Sequence, residues 1–194
     1  MINPAPQLTL IYGPMFSGKT TKLIELYNNY VSNYGEDKCV AINYKLDTRY
    51  GINQIITHDG KKIDCISIID IDDFITNEIT RSLILNAQFI FINEAQFFKN
   101  IDSTVLHLHN VLKKDVILCG IDLDYKREKF GSMMNLVSSA TKVYALKGVC
   151  KLCKGDSQFS HRTVANSLQI LIGYSQYIPL CEKCYVSENG LSTI

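Results

Sequence analysis

Residues 13–20 read Gly-Pro-Met-Phe-Ser-Gly-Lys-Thr, an instance of the pattern G-x-x-x-x-G-K-[ST]. This octapeptide constrains the fold more than any other stretch, because its chemistry works only between the end of a strand and the start of a helix. The flanks supply both: residues 8–12 are apolar and β-prone, and residues 21–26 carry a helical pattern. Gly13 and Gly18 permit backbone turns that a side chain would block, so that successive N–H groups face a phosphate chain. The following helix adds the positive end of its dipole. In such a loop Lys19 is expected on the β- and γ-phosphates and the Thr20 hydroxyl on Mg²⁺, while Pro14, Met15, Phe16 and Ser17 complete the cradle. At average residue usage a chain of this length matches the pattern by chance about once in a hundred times.

A length of 194 residues suits one domain, or one domain with a small module, and is ample for a core. Hydrophobic residues make up 46% and charged residues 20%, which describes a globular chain and excludes a disordered one. Net charge is +1, from 20 basic and 19 acidic residues, so no strongly basic surface advertises nucleic acid. The segment 1–6 has neither a charged n-region nor a long apolar stretch, and no apolar run approaches a membrane span. The expectation is a cytoplasmic protein with no membrane partner. In that reducing setting seven cysteines point to metal or free thiols, not to a disulfide framework.

Strand and helix patterns alternate over residues 1–148. Strands are expected at 8–12, 39–44, 89–92, 116–119 and 142–146, with a short one at 63–66. Helices are expected at 19–34, stopped by Gly35, at 71–85 with poor patterning, and at 101–112. Residues 45–62 read as irregular. The alternation implies an α/β fold, a parallel sheet with helices on both faces, forming a nucleotide-binding domain over 1–148.

Composition changes from Gly148, and residues 149–194 read as a separate zinc-ribbon module. Cys150-x-x-Cys153 is followed by 27 residues and then Cys181-x-x-Cys184. Two such knuckles at the ends of one segment fit a tetrahedral all-thiolate zinc site with a loop held at its base. A redox C-x-x-C occurs once, at a helix start after a strand, and fits less well. Cys39, Cys65 and Cys119 lie in apolar runs and read as small core residues.

Phe89-Ile-Phe-Ile is followed by Asn93 and Glu94. An acid just beyond a buried parallel strand stands where ligands bind, outside the carboxyl ends of the strands. Kinase folds use that place to orient the metal or the nucleophile.

Taken in order, the phosphate loop with its Met-Phe, Asp47-Thr48-Arg49-Tyr50, Thr57-His58-Asp59, Glu94-x-Gln96-Phe97-Phe98, Arg127-x-x-Phe130-Gly131 and the paired C-x-x-C knuckles resemble the thymidine kinases of the zinc-containing type, over about residues 8–185. The resemblance implies transfer of the γ-phosphate of ATP to the 5′-hydroxyl of thymidine or deoxyuridine, with Mg²⁺ and structural zinc. It makes Glu94 the general base. It sets Asp47, Thr48, Arg49, Asn93 and Gln96 near the phosphates, and Met15, Phe97, Tyr125 and Phe130 around the base, with Tyr125 where the family usually carries Phe. Leu168, Gln169, Ile170, Leu171, Ile172 and Gly173 would form a lasso loop whose backbone reads the thymine edge, and Tyr177 would close the site. A homotetramer and feedback binding of thymidine triphosphate are implied as well.

Two readings stay open beside it, another zinc-bearing nucleoside or nucleotide kinase and an ATP-switched zinc-ribbon nucleic-acid binder. From the residues alone, 168–172 also fits a core strand of the zinc module. The sequence departs from the family at Asn93, where an aspartate is expected: the amide keeps an oxygen but loses the charge that a Mg²⁺ shell favours.

Overall fold

The computed structural model describes residues 5–47, 53–71 and 77–190. Eight strands occupy its first three-quarters: β1 (Leu8–Tyr12), β2 (Cys39–Tyr44), β3 (Gln54–Ile56), β4 (Lys62–Asp64), β5 (Ile66–Ile68), β6 (Phe89–Ile92), β7 (Asp115–Gly120) and β8 (Lys142–Ala145). Six of them form one sheet in the order β5-β2-β6-β7-β1-β8, and every pairing is parallel. All carboxyl ends therefore meet at one edge, where the phosphate loop, Asn93–Glu94 and Ile121 follow β1, β6 and β7.

Side-chain alternation along the strands feeds two cores. Leu8, Leu10, Val40, Ile42, Ile90, Ile92, Val116 and Leu118 pack on one face. There they meet Ile84 of α2 (Glu78–Asn86) and Ile101 and Val105 of α3 (Ile101–Leu106). Ile11, Ala41, Phe89, Phe91, Ile117 and Cys119 pack on the other face against Leu23, Ile24 and Tyr27 of α1 (Lys19–Tyr34). Tyr27 and Tyr30 add edge-on contacts to Phe91 and Phe89, with ring centroids 5.1 and 4.8 Å apart. Asn77 starts α2 by accepting from the Ile79 and Thr80 N–H groups.

The expected parallel sheet with helices on both faces is present, with local corrections. Within the stretch 45–62 expected to be irregular, β3 and the start of β4 form an antiparallel hairpin, which pins Ile55 and Ile63 onto the second core. The strand expected at 63–66 divides there: β4 ends at Asp64, and β5, at 66–68, is the one that joins the sheet. The helix expected at 71–85 begins only at Glu78 among the described residues, and that expected at 101–112 passes into a π turn at His107–Val111. Cys119 is buried as expected, whereas Cys39 and Cys65 are half-buried.

Residues 148–190 build a smaller unit. β9 (Gly148–Val149) pairs with β10 (Asp156–Ser157), β11 (Phe159–Arg162) pairs with β12 (Tyr177–Leu180), and α4 (Glu182–Glu188) follows. Cys150, Leu180 and Tyr185 form its own core with Phe159 and Ile178. Among the described residues no helix is long and apolar enough to cross a membrane.

Candidate active site

The phosphate loop is shaped by what its glycines avoid. A Cβ on Gly13 would lie 2.2 Å from the Leu146 carbonyl oxygen. Gly18 takes φ +82° as it caps α1. No side chain caps that helix and its first turn holds no acid, so its leading N–H groups face an anion without competition. Ser17 Oγ is buried with no hydrogen-bond partner among the described residues, a polar atom placed for a ligand oxygen. Lys19 is largely buried and donates to the Pro14 carbonyl at 2.7 Å. The Met15 N–H donates to Ser160 Oγ at 2.9 Å, tying the loop to β11.

A cavity of about 430 Å³ opens over this loop. Met15, Phe16, Gly18, Lys19 and Thr20 floor it; Asp47, Asn93 and Glu94 line it from the strand ends; Thr57, His58 and Asp59 close it from the hairpin. Thr48 and Arg49 lie outside the described residues. Asn93 is buried within a network: its Nδ2 donates to Asn43 Oδ1 at 2.9 Å, and its Oδ1 accepts from Thr20 Oγ1 at 3.4 Å and from the Cys119 thiol at 3.1 Å. Burial, and after it the charge of Glu94, push the Cys119 thiol up to about 12, so it remains a protonated donor.

A narrow slot of about 40 Å³ joins this cavity. Phe97, Tyr125, Phe130 and Tyr177 wall it with Ile121, Leu123 and Asp124; Gln169, Leu171, Ile172 and Gly173 cover it. Met15, Glu94 and Ile121 line both spaces, so Glu94 stands at their junction. Glu94 holds the left-handed φ of +53°, a strained setting for a non-glycine residue that aims its side chain where an extended strand end would not. Gln96, expected at the phosphates, is set outside that cavity. Its Nε2 donates to Glu94 Oε2 at 2.6 Å and its Oε1 accepts from the Ile121 N–H at 3.0 Å.

Residues 168–172 are not a strand. Leu168 and Ile170 are exposed while Gln169, Leu171, Ile172 and Gly173 line the slot, so alternation holds over 168–171 and ends there. Gln169 Nε2 donates to Asp124 Oδ2 at 2.9 Å. Asp124 Oδ1 also accepts from the Lys126 and Glu128 N–H groups, which fixes the turn that carries Tyr125. Sequence reasoning missed two residues here. Arg162 binds the covering loop, and Ser160 anchors Met15; neither belongs to a recognisable local pattern.

Below the loop, Cys150, Cys153, Cys181 and Cys184 bring their sulfurs within 4.8 Å of one another. Cys153 and Cys181 sulfurs stand 3.6 Å apart, close to the edge of about 3.8 Å that follows from a Zn–S bond near 2.3 Å in a tetrahedron. The donor set therefore fits zinc.

A six-stranded parallel sheet, a phosphate loop after its β1 and an acid shared by a phosphate-sized cavity and an aromatic slot define a phosphate-loop α/β protein of the kinase kind. The family model described as thymidine kinase matches residues 6–185. Thymidine kinase of sheeppox virus is 35% identical over 181 residues, covering 92% of this chain and 96% of the relative. Thymidine kinase 1 of Dictyostelium discoideum is 33% identical over 191 residues, covering 96% and 80% respectively. Thymidine kinase of Oryza sativa is 32% identical over 181 residues, covering 93% of this chain and 66% of the relative. The chain belongs to the thymidine kinase family.

Proposed function

We propose that the protein transfers the γ-phosphate of ATP to the 5′-hydroxyl of thymidine or deoxyuridine. The observation that carries this reading is the position of Glu94, between a cavity floored by the phosphate loop and a slot walled by aromatic rings. The nucleoside base enters the slot between Met15, Phe97, Tyr125 and Phe130, and its 5′-hydroxyl reaches Glu94. Glu94 accepts the hydroxyl proton as the oxygen bonds to the γ-phosphorus and the bond to the bridging oxygen breaks, leaving ADP. Gln96 donates to one carboxylate oxygen of Glu94 and so helps orient the group toward the hydroxyl. Lys19 and the N–H groups of residues 13–20 stabilise charge on the moving phosphoryl group. Thr20 would hold magnesium, which would supply charge neutralisation at the phosphate oxygens. Cys150, Cys153, Cys181 and Cys184 would hold zinc, which would fasten the base of residues 154–180, and segment 149–194 works as a substrate-covering module on the nucleotide-binding part, 1–148. The finer expectations of a cytoplasmic homotetramer restrained by thymidine triphosphate rest on the family alone.

The test is a phosphorylation assay with ATP and Mg²⁺ over a panel of nucleosides. Thymidine should be converted, and Glu94→Gln should lower turnover by roughly two to four orders of magnitude while leaving the protein folded. Near-normal turnover in Glu94→Gln would remove Glu94 from the chemistry, and conversion of purine nucleosides alone would overturn the substrate assignment.

A further inference from the structure

Arg162, at the end of β11, is a buried cation with an unusual set of partners. Its Nη1 donates to the carbonyls of Asn166 and Leu168. Its Nη2 donates to the Gln169 carbonyl at 3.0 Å and to Tyr177 Oη at 2.6 Å, and its Nε to the same Tyr177 Oη at 3.2 Å. All five N–H donors of the guanidinium are thus engaged. Its Cζ lies 3.6 Å from the centroid of the Tyr125 ring, a wall of the slot. Among the described residues no carboxylate forms an ion pair with it. Among the described residues, neutral oxygens and π faces offset the charge, and burial makes each of those contacts costly to lose.

The consequence falls on the loop's backbone. The carbonyls of Leu168 and Gln169 turn toward the guanidinium, and that of Leu171 accepts from the Tyr177 hydroxyl at 3.1 Å. In a trans peptide the following N–H points the opposite way. The N–H groups of Gln169, Ile170 and Ile172 are therefore directed away from the Arg162–Tyr177 cluster and kept out of competition with it. We propose that Arg162 is a positioning residue for the nucleoside: it presets the peptide orientations of residues 166–171 and the face of Tyr125, so that the covering loop keeps its internal shape as it moves to admit substrate. This rests on the reading of the slot as the nucleoside site. Lysine cannot substitute, because a single ammonium cannot serve oxygens spread around a planar fork.

The experiment compares wild type with Arg162→Lys and Tyr177→Phe, each assayed for zinc content, steady-state kinetics and amide exchange of the ligand-free protein. Arg162→Lys should raise KM for thymidine about tenfold or more, the size expected from losing charged hydrogen bonds. It should leave kcat within about threefold, with KM for ATP and zinc content unchanged, and amides 166–173 should exchange faster. Tyr177→Phe keeps the guanidinium and should loosen chiefly the amides of Leu171 and Ile172, so it tests the clamp should Arg162→Lys fold poorly. Wild-type KM and unchanged exchange in Arg162→Lys would overturn the proposal. So would an equal loss of kcat, ATP affinity and zinc, which marks general structural damage. If the wild type phosphorylates no pyrimidine nucleoside, the proposed function fails, while the exchange comparison still decides whether Arg162 orders the loop.

Discussion

Replacing Asn93 by aspartate restores the residue expected beside Glu94, and the structure says what the change disturbs. Asn93 is 4% exposed and its amide works in both directions, accepting from Thr20 and Cys119 and donating to Asn43. A carboxylate keeps both acceptor contacts. It loses the donation to Asn43 and sets two oxygens about 2.9 Å apart, unless the Asn43 amide turns over to present its nitrogen. The larger effect is charge. The new carboxylate is buried beside Glu94, whose charge already helps hold the Cys119 thiol at about 12. Without Mg²⁺, a buried carboxylate beside the half-buried Glu94 is costly even with Lys19 near, and the variant should melt lower in Mg²⁺-free buffer by roughly 2–4 °C for each kcal/mol lost. With Mg²⁺ beside Thr20 the sign reverses. An opposite unit charge at about 4 Å is worth about 1 kcal/mol in a water-like medium and about 4 kcal/mol at an effective dielectric near 20. The gain in Mg²⁺ affinity should thus be at least about fivefold. Activity at fixed ATP is titrated with Mg²⁺ in both proteins, alongside melts with and without the ion. Asn93→Asp should reach half-maximal activity at lower free Mg²⁺ and gain more melting temperature from it. Equal midpoints and equal gains would show that residue 93 does not act on the metal and serves only to knit Thr20, Asn43 and Cys119 together.

Further outcomes follow from the same geometry. Purified without chelator, the protein should carry one zinc per chain by elemental analysis, and Cys150→Ser should lower that content and the melting temperature by loosening β9–β12; a zinc-free wild type would refute the site. The slot of about 40 Å³ has room for only about three waters, so the loop over it must move to admit a nucleoside, and exchange of amides 168–177 should slow on adding thymidine; equal protection in both states would make the loop fixed structure. Alkaline stability should reflect Cys119, whose thiol is raised in the fold. The unfolded chain ionises it near 9 and the native state does not, so its contribution is intact below pH 9 and lost as pH rises from there toward 12, with a limiting slope of about 1.4 kcal/mol per pH unit. Chemical denaturation from pH 8 to 11 should show a shallower decline in Cys119→Ala than in wild type, and parallel declines would refute that assignment.

How much of this was legible in the sequence depends on what each feature is made of. The bounds of β1, α1, β2 and β6 read directly, because buried parallel strands write themselves as unbroken apolar runs and Gly18 and Gly35 punctuate the helix. The β3–β4 hairpin did not, since its contribution to the core is Ile55 and Ile63 alone amid turn-forming and polar neighbours. The π turn after Leu106 is equally silent: Ile101, Val105 and Leu108 keep the spacing of an ordinary helix. In the site the same division holds. Phosphate binding is local in sequence, so eight consecutive residues declare it. The slot is assembled from segments between Met15 and Tyr177, and its cover alternates only over 168–171, which exposes Leu168 and Ile170 although their apolar character suggests contact. Arg162 is the limiting case. Its partners are chiefly main-chain carbonyls, which every residue possesses, so no side-chain pattern could have announced it. A loop whose backbone is oriented by hydrogen bonds must be held by side chains that need not touch substrate. Such residues become visible only when the hydrogen bonds of the loop are accounted for one by one.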